Sequence, residues 1–315
     1  MDTSFFLGAN TGRGFVSAMD RFPPDGAFLH IVKGGPGTGK SSYMKTIREA
    51  ARGRGLDTVS ILCSGDPDSL DGLWLPALKQ AWVDGTAPHV REPGIFGADS
   101  DYVNLGYFCR TPFRKEDQAA AREKSAAYKA CYAKAYRSLR EAMERERAAE
   151  KGPGAGEQRL AEREILARIG DCGSKAGGSG MAFHCWISAI SCKGLLRLEE
   201  SITKLCKQIY VIPSGCAEAL ELAAHEALDR GMRVIVCAEV LDPERAEALL
   251  LPEAGICFAA ERRETGLCGE NLEPALEALR EAKALHDELE AISRPYMDFD
   301  ALTAFTEETL TRVFP

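Results

Sequence analysis

The chain has 315 residues, 45% of them apolar and 27% charged, with a formal net charge of −8 from 39 basic and 47 acidic side chains. That balance fits a globular protein of about two domains. It excludes a disordered chain, a collagen-like chain, a small disulfide scaffold and a polycation built for nucleic acid. Eleven cysteines, with no C-x-x-C pair, sit in runs such as Val236-Cys237 and Ile256-Cys257-Phe258, and read as buried thiols of a reducing compartment. The N-terminus has no charged-then-apolar leader pattern and no run approaches 18 apolar residues, so a cytoplasmic chain with no membrane contact is expected.

In chain order, residues 1–112 alternate β-rich and helical patterns. Strands are predicted at Ser4–Leu7, Phe28–Val32, Thr58–Cys63, Gln80–Val83 and Tyr102–Leu105, and helices at Phe15–Asp20, Lys40–Arg52 and Leu70–Leu78. Such alternation predicts an α/β fold on a three-layer parallel sheet. Residues 113–170 read as a helical arm. Arg114 to Glu150 lacks Gly and Pro, and Tyr128, Cys131, Tyr132, Ala135, Leu139 and Met143 recur at helical spacing. After Gly152-Pro153-Gly154 a second helix is predicted from Glu157 to Ile169, making a helical hairpin insertion. From Arg110 to Arg168 there are 15 basic against 10 acidic side chains, which suits either a solvated face or a contact for an anionic partner. Residues 171–180 form a Gly/Ser-rich linker, residues 181–270 return to β/α alternation, and residues 271–315 are C-terminal helices broken at Arg294-Pro295.

The segment Gly34-Gly35-Pro36-Gly37-Thr38-Gly39-Lys40-Ser41, followed by Ser42, fits G-x-x-x-x-G-K-[ST] between a predicted strand and a predicted helix, the context this phosphate-binding loop requires. Glycines let backbone amides curl around phosphates, and the helix start adds a positive end. Lys40 would reach the β- and γ-phosphates and Ser41 would ligate Mg²⁺. A carboxylate after an apolar strand is also needed. Asp84 and Asp66 are the candidates.

The two β/α regions match each other. Phe6-Leu7-Gly8-Ala9 aligns with Trp186-Ile187-Ser188-Ala189, Gly14 with Gly194, Arg54-Gly55 with Arg230-Gly231, Asp66-Pro67-Asp68 with Asp242-Pro243-Glu244, and Leu75-Pro76 with Leu251-Pro252. This reads as an internal duplication. Where the first copy has its glycine loop, the second has only Pro213–Glu218, so the second phosphate site is expected to be lost. Asp66 persists as Asp242, which suggests a structural part. Asp84 aligns with Ala260 and disappears together with Lys40 and Ser41, so Asp84 is favoured as the Mg²⁺-side acid.

On these residues, together with Phe6–Thr11, Asp68-Ser69-Leu70-Asp71-Gly72, Asp84–His89 and Ala284–Leu289, the chain resembles a family of uncharacterised bacterial proteins described only as ATPases, with two P-loop-like halves in tandem. The resemblance spans nearly the whole chain. It implies a P-loop NTPase fold and ATP rather than GTP, and no N/T-K-x-D segment speaks for guanine. The family's second half commonly carries its own phosphate loop, and this chain departs from that at Pro213–Glu218.

The function expected is Mg²⁺-dependent ATP hydrolysis coupled to conformational change. The alternatives are a small-molecule or nucleotide kinase with the arm as lid, and a slow nucleotide-gated binding module. The acceptor or protein partner is left open, and nothing specific indicates nucleic acid. Six further residues suit secondary parts: His89 as orienter of a water or phosphate, Arg13, Arg110 and Arg114 as phosphate or lid arginines, and Asp68 with Asp71 as helix caps.

Overall fold

The computed structural model describes residues 2–88, 90–149, 152–172, 180–213, 216–261 and 269–315. The first half of the chain forms strands β1 (Asp2–Phe6), β2 (Gly8–Thr11), β3 (Gly14–Ser17) and β4 (Phe28–Lys33), helix α1 (Lys40–Arg52), and strands β5 (Thr58–Leu62), β6 (Leu70–Leu75), β7 (Gln80–Asp84) and β8 (Ser100–Asn104). Two long helices follow, α2 (Lys115–Ala149) and α3 (Ala155–Asp171). Then come β9 (Met181–Cys185), β10 (Ser188–Ser191), β11 (Gly194–Arg197), α4 (Glu199–Leu205), β12 (Gln208–Ile212), α5 (Ala217–Asp229), β13 (Arg233–Ala238), β14 (Ala246–Leu251) and β15 (Ile256–Ala260). Helices α6 (Gly269–Ser293) and α7 (Phe299–Val313) end the chain, separated by a 3₁₀ turn at Arg294–Tyr296.

These elements divide into two compact units. The first gathers Met1–Ser4, Asp25–Lys134 and Glu277–Pro315; the second gathers Phe5–Pro24 and Ala135–Leu276. The units cut across the sequence boundaries drawn above, because α2 and α6 each contribute residues to both.

The first unit is built on a six-stranded sheet in the order β1-β5-β6-β7-β4-β8. Strand β4 runs parallel to both neighbours, β7 and β8. Strand β6 is antiparallel to β5 and to β7, so the sheet is mixed rather than parallel. The helix predicted at Leu70–Leu78 is this strand with a short 3₁₀ turn after it. All six residues of Leu70–Leu75 are buried, and a strand covered on both faces shows no alternation to distinguish it from a helix. A Cβ on Gly72 would stand 2.9 Å from the Trp82 carbonyl oxygen, so the close strand approach needs glycine there. Helix α1 has the predicted boundaries. It buries Tyr43, Met44, Ile47 and Ala51, spaced by one, three and four residues, against the sheet. Met297, Leu302 and Val313 close the same core from the C-terminal helices, each large apolar side chain contributing about 1.5–3 kcal/mol when fully buried.

The second unit has a five-stranded sheet in the order β12-β15-β14-β13-β9. Strands β12 and β15 are parallel, as are β13 and β9, whereas β14 is antiparallel to both neighbours. Read from its other edge, β9-β13-β14-β15-β12 repeats the order β1-β5-β6-β7-β4. Helix α3 lays Ala161, Ile165 and Ile169 on Ala219, Leu220 and Ala223 of α5, inside the core of this unit.

The same unit holds two antiparallel ribbons, β2–β3 and β10–β11. The helix predicted at Phe15–Asp20 is instead β3 and a 3₁₀ turn at Met19–Arg21. Gly14 and Gly194 turn the two ribbons with φ of +92° and +100°, a conformation that disfavours any side chain and ends helical propagation there. Just ahead of the two ribbons the chain pairs reciprocally: Phe6 N–H donates to the Trp186 carbonyl at 2.9 Å and Trp186 N–H donates to the Phe6 carbonyl at 2.8 Å. Among the described residues no helix is long and apolar enough to cross a membrane.

Candidate phosphate-binding site

Strand β4 delivers its last residues to the carboxyl end of the first sheet, and the chain turns through Gly34–Gly39 into α1. Helix α1 starts without a side-chain cap and without an acidic residue in its first turn. By contrast, α7 has the Asp298 side chain accepting from Ala301 N–H at 3.0 Å. The positive end of α1 therefore faces the glycine loop with no carboxylate of its own against it.

Two glycines of the loop leave no room for a side chain. Gly37 has φ +77°, and a Cβ there would stand 3.0 Å from the Glu290 carbonyl oxygen of α6. A Cβ on Gly34 would stand 2.4 Å from Thr38 Oγ1. Gly35 and Pro36 form the exposed crest, and buried Thr38 donates from Oγ1 to the Gly35 carbonyl at 2.9 Å. Lys40 curls back over the crest, its Nζ donating to the Gly34 carbonyl at 2.7 Å and the Gly35 carbonyl at 3.1 Å.

Asp84 ends β7, directly opposite Val32 of β4. Its Oδ2 lies 3.6 Å from Lys40 Nζ, and both side chains keep only 14% of their surface. Thr86 donates to Asp84 Oδ1 from its amide at 2.8 Å and from its hydroxyl at 2.6 Å. Burial raises the Asp84 carboxyl above the usual range, against the lowering pull of Lys40 and of the Thr86 bonds. Lys33, the last residue of β4, holds the loop after β7 by donating to the Gly85 carbonyl at 3.0 Å and the Arg91 carbonyl at 2.7 Å.

Ser41 sits in the first turn of α1 with Oγ accepting from Leu70 N–H at 2.9 Å, and the exposed Ser42 side chain follows it. The structure thus brings Gly34 to Ser42 and Asp84 into one place. Asp66 is used differently. It closes the turn after β5, where its carboxylate accepts from Asp68 N–H at 3.3 Å and Ser69 Oγ at 3.2 Å, with Lys283 Nζ at 3.6 Å.

Asp71 caps no helix but is a strand residue of β6, 6% exposed, at the β5–β6 irregularity. Its charge raises both Asp84 and Cys63, so it belongs to the electrostatics of this site. The alignment of β6 with β14, which sets Glu247 at the equivalent position, was the available signal for it. Asp68 caps no helix and lies in the Asp66 turn. Arg13 pairs with Glu244 in the second unit. Arg114 bonds to Asp117 at 3.0 Å and its amide donates to the Tyr296 hydroxyl, while the Arg110 amide donates to the Tyr296 carbonyl. His89 lies outside the described residues.

The corresponding place in the second unit has a different chemistry. Helix α5 begins at Ala217-Glu218, so an acid follows where α1 has Lys40-Ser41. Glu218 accepts from Gln158 Nε2 of α3 at 2.8 Å. A carboxylate in the first turn opposes an anion at that helix end.

A search of family models, curated proteins and solved structures found no match to the chain.

The residues fit a phosphate chain with its divalent cation. The loop leaves no room for a Cβ at Gly34 and Gly37, the helix start brings no competing carboxylate, an ammonium and a carboxylate approach each other, and Ser41 supplies a hydroxyl in the first turn of α1. Among the described residues no group of three or more His, Cys, Asp or Glu forms a preformed metal cage. A magnesium ion does not need one, since it keeps several waters and takes one or two protein oxygens plus the substrate's phosphates.

Proposed function

We propose that this protein is a P-loop NTPase that binds ATP with Mg²⁺ at Gly34–Ser42 and hydrolyses it. The observation that carries the reading is the placement of Lys40 between the glycine loop and Asp84, on neighbouring parallel strands. In this reading the loop amides and Lys40 hold the β- and γ-phosphates, while Ser41 and Asp84 hold the cation, Asp84 through water. Bound Mg²⁺ would supply charge neutralisation on the phosphate oxygens. Lys40 must then leave the Gly34 and Gly35 carbonyls for the phosphates. Thr86 keeps the Asp84 carboxylate oriented meanwhile.

The two β/α regions are, in this reading, an internal duplication of which only the first copy retains its site. The repeated strand order, the matched turn glycines and the bond from Asn10 Nδ2 to the Ile190 carbonyl, 180 residues away, support it. Ten free cysteines among the described residues, including Cys185 and Cys237, whose thiols lie 3.7 Å apart as a hydrogen-bonded pair rather than a disulfide, support a cytoplasmic setting.

The test is turnover of ATP with Mg²⁺ against a panel of acceptors, followed by mass spectrometry. Free phosphate with every acceptor supports hydrolysis. A phosphorylated acceptor moves the reading to a kinase. Tight binding with negligible turnover moves it to a nucleotide-gated module, and no nucleotide binding overturns it.

A further inference from the structure

Strand β8 flanks β4 on the side away from β7. The parallel register pairs Lys33 with Asn104, so the chain leaving β8 arrives beside the glycine loop. A Cβ built on Gly106 would lie 4.0 Å from the Gly34 Cα. Tyr107 comes next, and it is 83% exposed, more than any other large apolar or aromatic side chain among the described residues.

The segment that carries this ring is not loose. Leu105–Phe108 is a 3₁₀ turn whose Leu105 is fully buried. Phe108 meets Tyr107 edge-on at 5.8 Å and packs on Phe305 of α7 at 5.5 Å. The turn is therefore anchored from below while the Tyr107 ring is left in water. An anchored, exposed aromatic ring recovers apolar area only when a second flat group covers it.

The direction of the phosphate chain names that group. Asp84 and Ser41 draw the cation and the terminal phosphate to the β7 side of the loop. The other end of a nucleotide then leaves on the β8 side, where Tyr107 stands. We propose that Tyr107 is the platform on which the nucleobase stacks; this rests on the phosphate-loop reading above. Stacking on an aromatic face accepts any base and favours the larger purine ring.

The experiment is calorimetric titration of the full chain with ATP and, separately, with inorganic tripolyphosphate, both with Mg²⁺. Tyr107→Ala is expected to weaken ATP roughly tenfold and to leave tripolyphosphate within about twofold, while Tyr107→Phe keeps ATP affinity. An exposed side chain is a mild place to truncate, and the tripolyphosphate affinity reports that the loop is intact. The platform is overturned if Tyr107→Ala leaves ATP unchanged or weakens both ligands equally. Unmodified protein that binds neither ligand overturns the phosphate-loop reading itself. Protein that binds both equally tightly overturns the platform alone.

Discussion

Lys40 Nζ stands 3.6 Å from Asp84 Oδ2, with the ammonium also held by two carbonyls of the glycine loop. The pair is buried enough that each charge depends on the other. Lys40→Ala should therefore cut ATP affinity by at least tenfold and also destabilise the fold by about 1–3 kcal/mol, because Asp84 is left without its cation. The double variant Lys40→Ala/Asp84→Asn should regain most of that stability but none of the binding. Calorimetry and denaturant titration measure the two effects separately, and ATP affinity unchanged in Lys40→Ala sinks the site.

Gly37→Ala tests the loop without touching a charge. The added methyl meets the α6 backbone at Glu290 and must adopt φ +77°. Strain of this kind costs about 1–3 kcal/mol. ATP affinity should fall more than tenfold, whereas Gly152→Ala, on a glycine with open space around it, should change nothing. Equal effects of the two substitutions would show that the close approach to α6 has no bearing on the loop.

Within the second unit, Arg147 near the end of α2 grips Asp242 through two bonds, from Nε at 2.7 Å and Nη2 at 2.8 Å. Asp242 keeps 4% of its side-chain surface, so it relies on this fork. Arg147 is 42% exposed, which limits the gain from the pair. Arg147→Ala is expected to cost about 1–2 kcal/mol, and Arg147→Lys to recover only part of it, because an ammonium cannot bond bidentately. Hydrogen exchange of residues 239–246 should accelerate in both variants; protection equal to the unmodified protein would refute the link.

Glu239 sets a pH dependence. Burial, with the charges of Glu146, Asp242 and Glu247, raises its carboxyl to about 7 against the pull of Arg245. In the unfolded chain it ionises near its usual value, so between about pH 4.5 and 7 the unfolded state has lost a proton that the folded state keeps. Stability then falls as pH rises through this window, by up to about 3 kcal/mol, and levels off above it. Glu239→Gln should flatten that fall in denaturation curves at pH 5 and 8. An unchanged slope would remove Glu239 as its source.

The strand, loop and helix around Gly34–Ser42 were legible in the sequence because each part has a local cause: a short apolar run, glycines, and a helix with a 3.6-residue apolar stripe. Strand β6 was not, because burial of all six residues erases the period that identifies a strand. That error hid Asp71, which only strand geometry puts into the field of Asp84. The division into units was also illegible. It depends on α6 and α7 returning to the first sheet about 200 residues after it was laid down, and no local pattern encodes such a return. Tyr107 carried no signal at all, since one exposed tyrosine looks like any other until its neighbours are placed.

The two bonds between Phe6 and Trp186 bear on the duplication proposed above. Each residue gives the other what it receives, which is the pattern a two-fold axis imposes when identical patches face each other. In a pair of separate, identical chains any change to the phosphate loop would appear in both copies at once. If two copies were instead joined in one chain, as proposed above, this self-complementary contact could persist while the loops mutate independently. One helix start can then keep Lys40 and Ser41 while its counterpart takes Ala217 and Glu218. On that proposal, fusion would leave one helix start with a phosphate site and the other without, and the Phe6–Trp186 pairing would be a trace of the original likeness.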